Sequence, residues 1–250
     1  MPYDYYDDLS FSYPSFWKER EYEHEAEVVA IQRLLGVHRF ACAVDIGGGF
    51  GRLTKLLNKY ASKVILIEPS EVQRKLARSF TTGRTLVQGG NAEETALQSK
   101  SCDLACMVRV MHHLPHPEGS LAETWRILKP DGLLILEFAN SNNFKARVRN
   151  LFRHIPLTPV DMSTTGEDVP FVNHHPETVM RMLHEAGFSI ITVLSVSNFR
   201  SPFSKRILPL NLLIWLERYF QRLLAWVNFG PSLFVLAKKT DKSRLSPSER

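Results

Sequence analysis

The stretch VDIGGGFGRLTKLLNKYASKVILIEPS, residues 44–70, sets four glycines behind one aspartate and closes on a glutamate followed by proline. It begins inside a short apolar run, CAVDI (42–46), and GRLTKLLNKYA (51–61) has the spacing of a helix. Strand, glycine turn and helix in that order let a ligand approach backbone N–H groups at a helix N-terminus. Gly47, Gly48, Gly49 and Gly51 remove the Cβ atoms that would hold a ligand away. KVILIE (63–68) is a second strand, and Glu68 ends it 23 residues after Asp45. In a doubly wound sheet a carboxylate there points at the ribose hydroxyls of a nucleoside.

The turn also narrows the ligand. A dinucleotide fingerprint needs G-x-G-x-x-G, and the place of its third glycine is held by Arg52. No Gly-Lys-Ser/Thr follows, so a P-loop is excluded. The pattern Asp45-x-Gly47-x-Gly49-x-Gly51 puts an acid first, which repels a pyrophosphate and suits a ligand with ammonium and sulfonium charges.

Outward from this stretch, apolar strand-like runs alternate with helical patterns, the mark of βαβ units and a parallel sheet. Ser15–Leu35 is predicted as one helix, and seven strands are predicted: 42–46, 63–68, 84–88, 102–108, 132–139, 188–196 and 232–239. Long insertions follow the fifth strand (140–175) and the sixth (198–230), which makes them candidate lids. With 250 residues, 44% hydrophobic and 23% charged, residues 1–240 fit one globular domain. The net charge of +5 is concentrated in the end of the chain. Lys238–Arg250 holds five cations against two acids, so residues 241–250 are expected to be a flexible basic tail and a nucleic-acid partner is not. The start carries no basic, apolar leader, so a cytoplasmic protein with Cys42, Cys102 and Cys106 as free thiols is expected.

Five motifs in order carry a resemblance: VDIGGGFGRL, ILIEPS, GGNAEETAL, CDLACMVRVMHHL and ETWRILKPDGLLILEFAN. From about Trp17 to Gly187 the chain resembles the class I S-adenosylmethionine-dependent methyltransferases, in particular the small-molecule, type 11-like branch. The resemblance implies an α/β, Rossmann-like, seven-stranded and mostly parallel sheet with an antiparallel last strand, capped by helical insertions. It implies S-adenosylmethionine as cofactor and S-adenosylhomocysteine as product. Gly47 and Gly49 would lie under the methionine part, Gly51 would complete the cofactor-binding turn, and Asp45 would arrange the turn and the ligand's ammonium. Glu68 would take the ribose hydroxyls, Pro69 would flank the adenine, and Asn91 with Ala92 would sit at its edge. Val108 would line the channel, while Arg20 or Tyr22 would reach the carboxylate from an amino-terminal cap helix.

Methyl transfer needs a base only where the nucleophile is protonated. His112 and His113, just past strand four, are the candidates, with a packing role weighed beside it; His174 and His175 end the first insertion. Glu167 and Asp168 lie near that pair, but the loop spacing does not indicate a metal site. In the first insertion Phe144, Val148, Leu151, Phe152 and Ile155 recur at helical spacing among four cations. Around 205–229 the apolar residues from Leu212 to Trp226 are expected to bury most of a helix's circumference. Three roles are open to it: roofing the site, a dimer interface, or contact with an anionic membrane surface. The acceptor is therefore expected to be a small molecule, hydrophobic or acidic, methylated at oxygen or carbon. A catalytically inactive cofactor-binding sensor or partner subunit is the alternative, and monomer and homodimer both stay open.

Overall fold

The structure is a computed structural model that describes residues 13–114, 116–153, 160–165 and 169–240. Seven strands form one sheet: β1 Phe40–Ile46, β2 Ala61–Ile67, β3 Thr85–Gln88, β4 Cys102–Met107, β5 Leu128–Ala139, β8 Phe188–Val196 and β9 Ser232–Lys239. Their order is β3-β2-β1-β4-β5-β9-β8. The first five are parallel in register, and β9 runs antiparallel to both β5 and β8. This is the Rossmann-like sheet expected, with its last strand reversed.

Strands buried on both faces read as continuous apolar runs, which explains why CAVDI, KVILIE and LACM were legible. One face packs Ala43, Leu104, Ile135 and Phe234 against helix α2, Glu21–Leu35, through Ala30, Ile31 and Leu34. The other packs Val44, Ile46, Met107 and Leu136 with Leu121 of α5, Glu118–Ile127, and Leu183 of α7, Pro176–Glu185.

Three local expectations change. The helix over Ser15–Leu35 is two, α1 Tyr13–Lys18 and α2, with a turn at Glu19–Arg20 between them. The helix after the glycine turn shrinks to α3, Thr54–Leu57, because Gly51 at φ +88 begins a run of turns. The fifth strand, expected at 132–139, starts at Leu128 and runs through Pro130-Asp131-Gly132, where Asp131 takes φ +62 and the pairing with β4 shifts between Cys102 and Leu104. Helix α4, Glu71–Phe80, follows β2 and is capped by Ser70, whose hydroxyl accepts from the Gln73 amide.

The first insertion holds α6, Phe144–Arg153, and an unforeseen hairpin of β6, Val160–Thr165, and β7, Val169–His174. Between β8 and β9 lie α8, Pro202–Ile207, and α9, Leu210–Ala225. Helix α9 packs along α2 and β8. Its buried positions are Leu213, Glu217 and Gln221, so the expectation that the apolar residues bury its circumference is overturned. Glu217 accepts hydrogen bonds from the Tyr22 hydroxyl, the Asn198 amide at 2.6 Å and the Gln221 side chain at 3.2 Å. That polar seam turns Trp215, Tyr219, Leu223 and Trp226 outward. Residues 166–168 and 241–250, with Glu167, Asp168 and the basic tail, lie outside the described residues.

Candidate active site

Asp45 is the next-to-last residue of β1 and lies buried beneath the turn it introduces. The Thr54 hydroxyl donates to it at 2.5 Å, and burial raises its carboxyl to about 6. Gly47 and Gly49 above it adopt φ +67 and +54, a region open to glycine at little cost. A Cβ on Gly47 would stand 2.3 Å from Val110 Cγ2, and one on Gly51 2.5 Å from Thr81 Cγ2, so neither position has room for a side chain. The Gly47 and Gly48 amides donate to the Ile67 carbonyl, tying the turn to the end of β2.

Glu68 begins the loop after β2. One carboxylate oxygen accepts from the Gly49 amide at 2.9 Å and the other from the Ser70 amide at 3.0 Å. An ionised carboxylate offers about four lone-pair directions, so each oxygen keeps one for a further donor. That capacity fits the two hydroxyls of a nucleoside sugar beside the glycine turn. Burial outweighs these bonds and raises Glu68 to about 7. The carbonyl of Pro69 accepts from Arg74. Asn91 spends its side-chain oxygen on its own loop, accepting from the Glu93 and Glu94 amides at 2.9 and 2.7 Å. Ala92 and Val108 are buried, and Val108 follows the last residue of β4.

The two cap residues each have a partner on a neighbouring element. Tyr22 donates its hydroxyl to Glu217 and accepts the Phe199 amide at 2.8 Å, and the Arg20 guanidinium lies 4.0 Å from the centre of the Phe16 ring. The glycine turn meets α1 through Tyr13, whose ring would touch a Cβ on Gly49 at 3.3 Å.

An ionic cluster that the sequence reading did not foresee ties the cap to the sheet. Buried Glu27 of α2 binds Arg52 at 2.6 Å through one oxygen and Arg109 at 2.6 Å through the other. Burial would raise Glu27, but the two guanidiniums more than offset it and hold the carboxyl below its usual range. Arg52 also bonds His24 and stacks 3.5 Å over Trp17. Arg109 adopts φ +64 and donates its amide to Glu137, which is buried in β5. The Arg-Val pair after CDLACMV was the available signal, since a cation at the rim of a buried strand needs a partner.

Histidines follow Val110, the residue whose side chain faces Gly47. His112 and His113 lie in the 3-10 turn Met111–His113, with ring centres 4.0 Å apart. His112 packs 4.5 Å from Phe171 of β7, and buried His174 sets Nε2 3.2 Å from the Met111 carbonyl. Burial lowers His112 far below its normal value and takes His113 to about 4, so both rings are neutral near pH 7. His175 leads into α7 as the residue before Pro176. Among the described residues no group of three or more His, Cys, Asp or Glu side chains is placed to hold a metal ion.

Residues 44–136 match the methyltransferase domain family. The ubiquinone/menaquinone biosynthesis C-methyltransferase UbiE of Hydrogenovibrio crunogenus is 25% identical over 214 residues, which span 78% of this chain and 80% of that protein. A protein of Thermotoga maritima solved as an S-adenosylmethionine-dependent methyltransferase shares the fold with a TM-score of 0.63 and 22% identity, over 95% of this chain and 99% of that one. One from Listeria monocytogenes does so with a TM-score of 0.66 and 20% identity, over 88% and 100%. The family match opens on the strand that carries the glycine turn: the chain carries a methyltransferase domain, on the fold shared by these solved S-adenosylmethionine-dependent methyltransferases.

Proposed function

We propose that this enzyme methylates a small acceptor, hydrophobic or acidic, at carbon or oxygen. The observation that carries the cofactor half of this reading is Glu68, held by the Gly49 and Ser70 amides with capacity left on each oxygen. Its relation to proteins named as C-methyltransferases supports carbon within that pair. When bound, S-adenosylmethionine supplies a methyl group on a positively charged sulfur, open to in-line attack.

The chain's own residues bind, align and dry the site, which is most of what such a displacement asks of an enzyme. Gly47, Gly49 and Gly51 let the backbone approach the methionine part, and Asp45 holds the turn and favours the nearby cationic charge. Glu68 accepts from the ribose hydroxyls; Pro69, Asn91 and Ala92 bound the adenine, and Val108 lines the passage between. His113, half-buried and neutral, takes a proton from an enolic or phenolic acceptor at a ring nitrogen. His112, pressed on Phe171, keeps the hairpin against the 3-10 turn. Arg20 reaches the cofactor's carboxylate from the cap, Tyr22 braces that cap on Glu217 of α9, and Glu27 holds Arg52 and Arg109 beside it.

The test is transfer of labelled methyl from S-adenosylmethionine to the small-molecule fraction of a cell extract. Wild-type protein should label a component that is extractable into organic solvent, and His113→Ala should lower kcat by roughly 100-fold or more with S-adenosylhomocysteine affinity unchanged. Tight binding of S-adenosylhomocysteine with no labelled product from any fraction overturns catalysis in favour of a cofactor-binding sensor.

A further inference from the structure

Helix α9 is inverted. Its polar residues Glu217 and Gln221 are fully buried, while Trp215, Tyr219, Leu223 and Trp226 are 51%, 61%, 62% and 86% exposed. At 100° per residue these four, with Leu212, fall on one face. The orientation is not interchangeable, because Glu217 serves Tyr22 and Asn198 and the Gln221 side chain donates to the Ala26 carbonyl at 3.0 Å. Rolling the helix to bury its aromatic face would strand those buried groups. An outward stripe this apolar marks a surface that is covered by something.

The charges around it indicate what. Arg218 and Arg222 flank the stripe, Arg206 stands exposed on α8 beside Phe203 and Ile207, and Glu217 is the one acid between residues 198 and 230. Helix α6 adds Lys145 and Arg149 without any acid, and it is fastened to the end of α9: Arg147 donates to the Val227 carbonyl, and Phe144 stacks on Phe229 with ring centres 5.0 Å apart. A second copy related by a twofold axis would bring the same cations together. Sixteen residues of helix reach about 24 Å, short of the roughly 30 Å hydrocarbon layer, so α9 suits a position along a bilayer rather than through it. No helix among the described residues is long and apolar enough to cross a membrane.

We propose that the outward face of α9, with α8 and α6 at its ends, docks this enzyme on an anionic lipid surface, aromatics in the interface and arginines against headgroup phosphates. Two of the four tryptophans, Trp215 and Trp226, lie on that face, whereas Trp17 is buried, so intrinsic fluorescence can report the contact.

The experiment is sedimentation of the full chain with vesicles of phosphatidylglycerol and phosphatidylcholine, against vesicles of phosphatidylcholine alone, with brominated acyl chains as quencher. Binding should favour the anionic vesicles, fall with salt, and quench tryptophan emission. Arg218→Gln with Arg222→Gln should cut the partition coefficient roughly 25-fold, at about a factor of five per charge. Trp215→Ser with Trp226→Ser, both at exposed positions, should abolish quenching while leaving S-adenosylhomocysteine binding intact. Equal sedimentation with both vesicle types, no sedimentation with either, or a concentration-dependent dimer lost in the same variants would overturn the proposal, the last assigning the face to a second copy.

Discussion

Burial lifts Glu68 to about 7 and Asp45 to about 6, so both carboxyls change charge in the range where the enzyme would be assayed. In the role proposed for it, Glu68 must be ionised to accept from a sugar hydroxyl at both oxygens while it holds the Gly49 and Ser70 amides. Affinity for S-adenosylhomocysteine should therefore rise as pH climbs through about 7, which titration calorimetry from pH 5.5 to 8 would follow. Glu68→Gln should flatten that rise and weaken binding at pH 8 by ~1.5–3 kcal/mol. Stability runs the other way. A carboxyl raised by folding loses its proton first in the unfolded chain, so the free fold loses stability as pH rises from about 4 to about 7. Without ligand, wild-type protein should lose melting temperature between pH 5 and pH 8 and Glu68→Gln should lose less over the same range, which calorimetry checks. Gly49→Val meets both φ +54 and the Tyr13 ring, so it should remove the binding heat and cost ~1–3 kcal/mol of stability in urea. Asp45, the glycines and Glu68 were legible because one turn joins them. Arg52 and Arg109 were not, since their common partner Glu27 lies 25 and 82 residues away.

Helix α9 shows what periodicity can and cannot say. The apolar spacing in LNLLIWLERYFQRLLA revealed a helix and its stripe, but a stripe names a face without saying which way it points. The side packed against α2 is decided by Glu217, whose partners Tyr22 and Asn198 are invisible in a local window. Glu217→Ala would leave the Tyr22 hydroxyl and the Asn198 amide buried without an acceptor, so unfolding in urea should show a loss of about 2–4 kcal/mol. Tyr22→Phe, which removes one donor and leaves the other bonds to Glu217, should cost about 1 kcal/mol. The β6–β7 hairpin was missed for a different reason. VDMSTT alternates as a strand should, but Pro170 in VPFVNH argues against one, and pairing between two short runs is decided only when both are present.

Across the molecule, the cofactor half rests on five parallel strands joined by local crossovers, and that is the part the sequence displayed most fully. The acceptor half proposed above draws on segments distant in sequence, the 3-10 turn and β7, which only folding brings together. Ligand should stabilise the whole domain together: at 100 times its Kd, S-adenosylhomocysteine adds about 2.7 kcal/mol, or roughly 5–10 °C in melting temperature for a chain of this size. A melt that splits into two steps under ligand would show that the two halves unfold separately. The strand order also carries a cost during synthesis. β9 is a wedge made after both of its neighbours, so while the ribosome is still translating residues 232–239, β5 offers a bare edge and β8 has nothing to pair with. A nascent chain stalled ahead of Ser232 should accordingly be captured by chaperones that bind exposed strands, and release should follow completion of that final segment.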